Sequence, residues 1–93
     1  MSQCLRIVIV IEGKKEAVDR FIQKQASVLK IEGIMQPLSE TTFRIVICGV
    51  KEAIESFLDV LHNDCCGQPI KHIECEPFLK DRDYRGVFRV IGQ

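Results

Sequence analysis

The sequence predicts an α+β sandwich of element order βαββαβ, with two helices on one face of an antiparallel sheet of four to five strands. Three observations carry this. Short β-branched runs alternate with stretches of helical apolar period. One strand–helix unit occurs twice. The chain's 93 residues, 46% hydrophobic and 28% charged, suit one small globular domain spanning 1–93.

Cys4–Ile11 (CLRIVIVI) is dominated by β-branched residues and is apolar on both faces, as a central strand requires. Gly13 ends it. Between Lys14 and Leu29 the apolar residues Ala17, Val18, Phe21, Ile22, Val28 and Leu29 form a helical stripe. Ile31–Gln36 is a short strand and Pro37–Glu40 a turn. Thr41–Cys48 (TTFRIVIC) alternates as a second central strand. After Gly49, the segment Val50–His62 carries Ala53, Ile54, Phe57, Leu58 and Leu61 on one helical face. Asn63–Pro69 is a turn, Ile70–Cys75 a strand, Lys80–Arg85 a charged loop and Val87–Ile91 the last strand.

The repeat lies in the two strand–helix units. Gly13-Lys14-Lys15-Glu16-Ala17-Val18-Asp19-Arg20-Phe21 lies over Gly49-Val50-Lys51-Glu52-Ala53-Ile54-Glu55-Ser56-Phe57, with Ile9-Val10-Ile11 over Ile45-Val46-Ile47. Two such units, each followed by a further strand, make the split-βαβ, ferredoxin-like arrangement. Right-handed crossovers then place both helices on the same side of the sheet.

Lysine plus arginine equals aspartate plus glutamate at 13 each, so no net field steers the chain to nucleic acid or an anionic membrane. Ile7–Ile11 is too short to span a bilayer and no small-residue cleavage pattern follows it. The expectation is a cytoplasmic protein with reduced thiols. The five cysteines, Cys4, Cys48, Cys65, Cys66 and Cys75, are odd in number and irregularly spaced, and are expected to be unpaired. His62 with Cys65 and Cys66 lacks the paired spacing of a zinc site, so no metal is expected. No cofactor is implied.

From Ala26 to Cys75 the chain resembles the acylphosphatase family without a gap. ASVLKIEGIMQP (Ala26–Pro37) is similar to that family's helix end and second strand, with Gly33 on the family glycine. Phe43–Gly49, Glu52–Leu61 (EAIESFLDVL), Gly67–Cys75 and, with one extra residue, Tyr84–Val90 follow in family order. The resemblance implies the ferredoxin-like fold and raises acyl-phosphate hydrolysis as an activity. It also identifies where the chemistry would sit. The family carries G-x-V-Q-G-V-G-F-R between the first strand and helix. There glycines let backbone amides wrap a phosphate, an arginine clamps it, and an asparagine on the second strand orients water.

Here Ile11–Asp19 (IEGKKEAVD) occupies that motif. The family glycines fall on Ile11, Lys15 and Ala17, the arginine on Asp19 and the asparagine on Pro37. An anion at ~4 Å from a bound phosphate costs ~1–4 kcal/mol. Proline offers no side-chain group to hold water. Losing one transition-state donor typically costs about 100- to 1000-fold in rate. No catalytic residue is therefore assigned; Arg20 reaches the arginine position only if the register shifts by one. Lys14 and Lys15 are a weak anion-binding candidate at the helix start. Cys75 is expected in the core, where free cysteine packs as a small hydrophobe, and His72 faces solvent.

The sheet face away from the helices is the candidate interaction surface. Alternation places Val8, Val10, Val46 and Cys48 there, with Val87 and Ile91 if Phe88 and Val90 are core, and Arg6, Arg44 and Arg89 as a rim. Base-stacking on such a face needs aromatics, and Arg6, Val8, Val10, Arg44, Val46 and Cys48 include none, so nucleic acid is not the expected partner. The reading is an acylphosphatase-like domain without catalysis that binds a protein partner, a second copy of itself or a small ligand. The alternative is a divergent acylphosphatase.

Overall fold

The computed structural model describes residues 2–12, 15–62, 70–77 and 86–91. The elements run β1 (Ser2–Ile11), α1 (Lys15–Val28), β2 (Glu32–Pro37), β3 (Thr42–Val50), α2 (Lys51–His62), β4 (Ile70–Pro77) and β5 (Phe88–Val90). The expected turn at Asn63–Pro69 and loop at Lys80–Arg85 lie outside the described residues.

The strands form one five-stranded sheet in the order β4-β1-β3-β2-β5. The first four pair antiparallel, as the split-βαβ arrangement dictates. β5 departs from an all-antiparallel sheet by running parallel to β2. The cause is topological. β4 finishes at the end of the sheet where β2 begins, so a strand entering from that end runs the same way as β2. Gly33 N donates to Val87 O at 2.9 Å, and Ile91 N to Met35 O at 2.8 Å, fixing β5 to β2. Between β2 and β3 the chain turns tightly, with Leu38 N donating to Thr42 O at 2.8 Å.

Strand alternation builds the core. Ile7, Ile9 and Ile11 of β1 and Phe43, Ile45 and Ile47 of β3 point to the helices and are at most 1% exposed. The two repeated strands thus bury equivalent positions. From α1, Val18, Ile22 and Ala26 meet them at four-residue spacing; from α2, Ala53, Ile54, Phe57 and Leu61 do so. Val28 does not belong to the stripe assigned from the sequence: it is 65% exposed. It lies about 200° around the helix from buried Ala26, on the solvent side.

α1 closes with a lysine where glycine is usual. Ile31 N donates to Ala26 O at 2.8 Å and Lys30 N to Ser27 O at 3.2 Å, with Lys30 at φ 59°. This is the paired bonding of a Schellman cap, and the buried Ala26 and Ile31 supply its apolar contact. In β2, Gly33 sits at φ 150° against β3. A β-carbon built there would fall 1.8 Å from the carbonyl oxygen of Val46. Only glycine lets β2 approach β3 in this register.

Candidate functional site

Two places can be built from these elements: the end of the sheet where β1 leads to α1, and the face that the helices leave open.

At the sheet end, Ile9, Phe43 and Pro37 lie in one row across β1, β3 and β2. β1 and β2 run in the same direction and terminate together. Ile11 N donates to Thr41 O at 2.8 Å, tying the last residue of β1 to the turn that follows β2. α1 starts at this end and packs against β2. The fold therefore brings the start of α1 and the end of β2 to one locality, as a phosphate cradle would require. Asp19, in the second turn of α1, is half-buried, Arg20 is exposed, and Pro37 is half-buried at the end of β2. Gly13, Lys14 and the side chain of Lys15 lie outside the described residues.

The open face reads across the strands in register. Glu76, Arg6, Val46, Ile34 and Arg89 form one row; Glu74, Val8, Arg44 and Gln36 form the next. Arg6 pairs with Glu76, its Nε donating to Oε1 at 2.7 Å, and His72 Nε2 lies 2.9 Å from Glu74 Oε2. Both pairs are exposed, so each contributes about 0–1 kcal/mol. The register corrects the expected layout. Arg6 and Arg44 stand on the two central strands, between the valines, and do not rim them. Val46 and Cys48 are only 4% and 3% exposed, and pack with Cys4 and Ile34 as a small second core. The accessible apolar groups are Val50, Val87 and Ile91, at 50%, 44% and 39% exposed, with Val8 and Val10 half-buried. Ile34, Glu74 and Glu76 share this face and were not assigned to it from the sequence. Register, which residue periodicity does not contain, places them there.

The thiols also require correction. Cys4 and Cys48 stand directly opposite each other on β1 and β3, with Cα atoms 4.1 Å apart, and are joined as a disulfide. The expectation of unpaired thiols fails for these two. Matching parity along β1 and β3 was the available signal, but the register that makes them neighbours was not. Cys75 points to the helix side, opposite Ile7, yet it is exposed, because β4 is an edge strand. It is not the core residue it was expected to be. Partial burial of the sulfur's surroundings nonetheless pushes its pKa up. Cys65 and Cys66 lie outside the described residues. Among the described residues, no three His, Cys, Asp or Glu side chains gather to hold a metal, and no helix is long and apolar enough to cross a membrane.

No protein-family model and no curated protein matches the chain. Solved structures do. An acylphosphatase from Bacillus subtilis superposes with a TM-score of 0.84 at 17% identity, over 99% of this chain and 100% of that one. An acylphosphatase from Coxiella burnetii gives 0.79 at 23% identity, over 97% and 93%. A bacterial light-regulated adenylyl cyclase gives 0.72 at 19%, over 98% of this chain but 28% of that one. The same fold thus occurs in proteins of unrelated activity, so function must be argued from the site. In its element order, its sheet and its full-length superposition on two acylphosphatases, this chain has the acylphosphatase-like fold.

Proposed function

We propose that this domain does not hydrolyse acyl phosphates and works as a binding module whose open sheet face receives a protein, either another chain or a second copy of itself. The observation that carries the first half is the presence of Asp19 in the second turn of α1 and of Pro37 at the end of β2. They occupy the two converging element ends where the fold's hydrolases would need a cation and a water-orienting amide. An anion in place of the clamp opposes the substrate's charge, and proline leaves the attacking water unoriented. Arg20, one residue further along α1, is turned by about 100° from the Asp19 direction.

The second half rests on the composition of the open face. Val8, Val10, Val87 and Ile91 lie among arginines and acids of both signs. Apolar contacts interleaved with arginine are typical of protein interfaces. The buried state of Val46 decides which variant tests this. Val46→Glu would bury a charge in the second core and damage the fold. Val87→Glu changes a residue that is already accessible. Sedimentation velocity over a concentration series is expected to show self-association or complex formation for the wild type and its loss for Val87→Glu with unchanged circular dichroism. A wild type that stays monomeric, with identical partners for both proteins, removes the open face from the account.

A further inference from the structure

We propose that Cys4 and Cys48 are a reversible thiol–disulfide pair, a redox-sensitive clasp between the two central strands. The inference stands independently of the reading of the open face. Three features carry it. First, the register sets the two residues opposite each other as a non-hydrogen-bonded pair, whose Cα atoms an antiparallel ladder holds about 4.5 Å apart without a cross-link, close to the 4.1 Å found here. The sheet alone therefore holds the sulfurs together, so opening the bond does not require the strands to part. Second, the pair has an apolar refuge when reduced. Cys48 is 3% exposed and packs with Val46, Ile34 and Cys4, and a free thiol is comfortable in such a setting. Third, the two residues differ in exposure. Cys4 is half-buried while Cys48 is 3% exposed, and a surface hollow bordered by Leu29, Lys30, Glu32 and Val50 is lined by both cysteines, with Cys4 the more open to an incoming thiol.

These features define the exchange. A thiolate from a small thiol or a protein dithiol attacks Cys4 Sγ. The Sγ–Sγ bond breaks, and its electron pair leaves with Cys48, which takes a proton from solvent. A second thiolate attacks the outer sulfur of the mixed disulfide, releases Cys4, which is protonated in turn, and departs as the oxidised disulfide. Two thiols thereby deliver two electrons, and the reverse sequence reseals the clasp. The clasp closes a loop with a sequence separation of 44, so oxidation restricts the unfolded chain and raises the melting midpoint.

The test uses the full chain equilibrated anaerobically in glutathione buffers of graded composition, acid-quenched and mapped without reduction. The expected result is a Cys4–Cys48 linked peptide whose fraction follows the buffer in both directions. Circular dichroism should stay native throughout, and the melting midpoint should fall by roughly 10–25 °C on reduction. Briefly treated oxidised protein should carry the glutathione adduct on Cys4 at least tenfold more than on Cys48; Cys48→Ala should trap it there. The quench on wild type gives the same reading if that variant fails to fold. The proposal is overturned if no linked peptide forms in any buffer, if the link opens only in denaturant, if reduction unfolds the chain at 25 °C, or if the adduct sits on Cys48.

Discussion

Replacing Gly33 by alanine tests whether close approach of β2 to β3 sets the sheet. The added β-carbon would lie 1.8 Å from Val46 O, 2.8 Å from Val46 C and 3.1 Å from Ile47 Cα. Real β-carbons do not come within 3.0 Å of such atoms, so something must move by roughly 1.2 Å. The obstructing atoms are backbone, so no rotamer change relieves the overlap. Displacing β2 strains its ladder with β3 and the Gly33 N to Val87 O bond that carries β5. Two or three weakened hydrogen bonds at about 1 kcal/mol each, plus about 1–3 kcal/mol for alanine at a glycine-only conformation, give a loss of about 3–6 kcal/mol. Against a total stability of about 5–15 kcal/mol, that leaves the variant largely or partly unfolded. Gly86 provides the internal control. Its φ is 70°, but a β-carbon there meets nothing within 4 Å. Gly86→Ala should cost only the backbone term, about 1–2 kcal/mol. Urea titration followed by circular dichroism measures both. Equal losses at the two glycines, or a Gly33→Ala midpoint indistinguishable from wild type, would refute the close-approach argument.

Lys30 holds the left-handed position of the α1 cap, so Lys30→Gly should stabilise the domain by about 0.5–1 kcal/mol, raising the melting midpoint by about 2–8 °C. Cys75 yields a pH-dependent outcome. Its folded-state pKa is raised, so its neutral form is favoured in the native chain. The associated stability is present below the ordinary thiol pKa and is lost as pH rises through the raised value. Iodoacetamide labelling at pH 8, read by peptide mapping, should therefore be slower at Cys75 in the native chain than in urea. Faster native labelling would contradict the assigned environment.

Much of the fold was legible in the sequence because local pattern and global topology agree. The isoleucines of β1 and the Phe43-Ile45-Ile47 run of β3 alternate cleanly, and the repeated strand–helix unit places both helices. The errors share a cause. Whether Val28 or Ala26 faces the core depends on helix phase, and apolar character alone does not define phase. Whether Val46 is exposed depends on its neighbours across β1 and β2. The Cys4–Cys48 bond and the Arg6–Glu76 pair depend on register, which joins residues far apart in the chain. The places of Asp19 and Pro37 were legible for the opposite reason: they stand in the second turn of α1 and at the end of β2, elements that local pattern locates.

The proposed absence of acylphosphatase chemistry in this acylphosphatase-like fold is open to direct measurement. Hydrolysis of benzoyl phosphate by the purified chain at neutral pH, followed by loss of ultraviolet absorbance against buffer alone, tests it most directly. The expected rate equals the buffer's at every protein concentration. A rate that rises in proportion to protein and is lost in Arg20→Ala would contradict it.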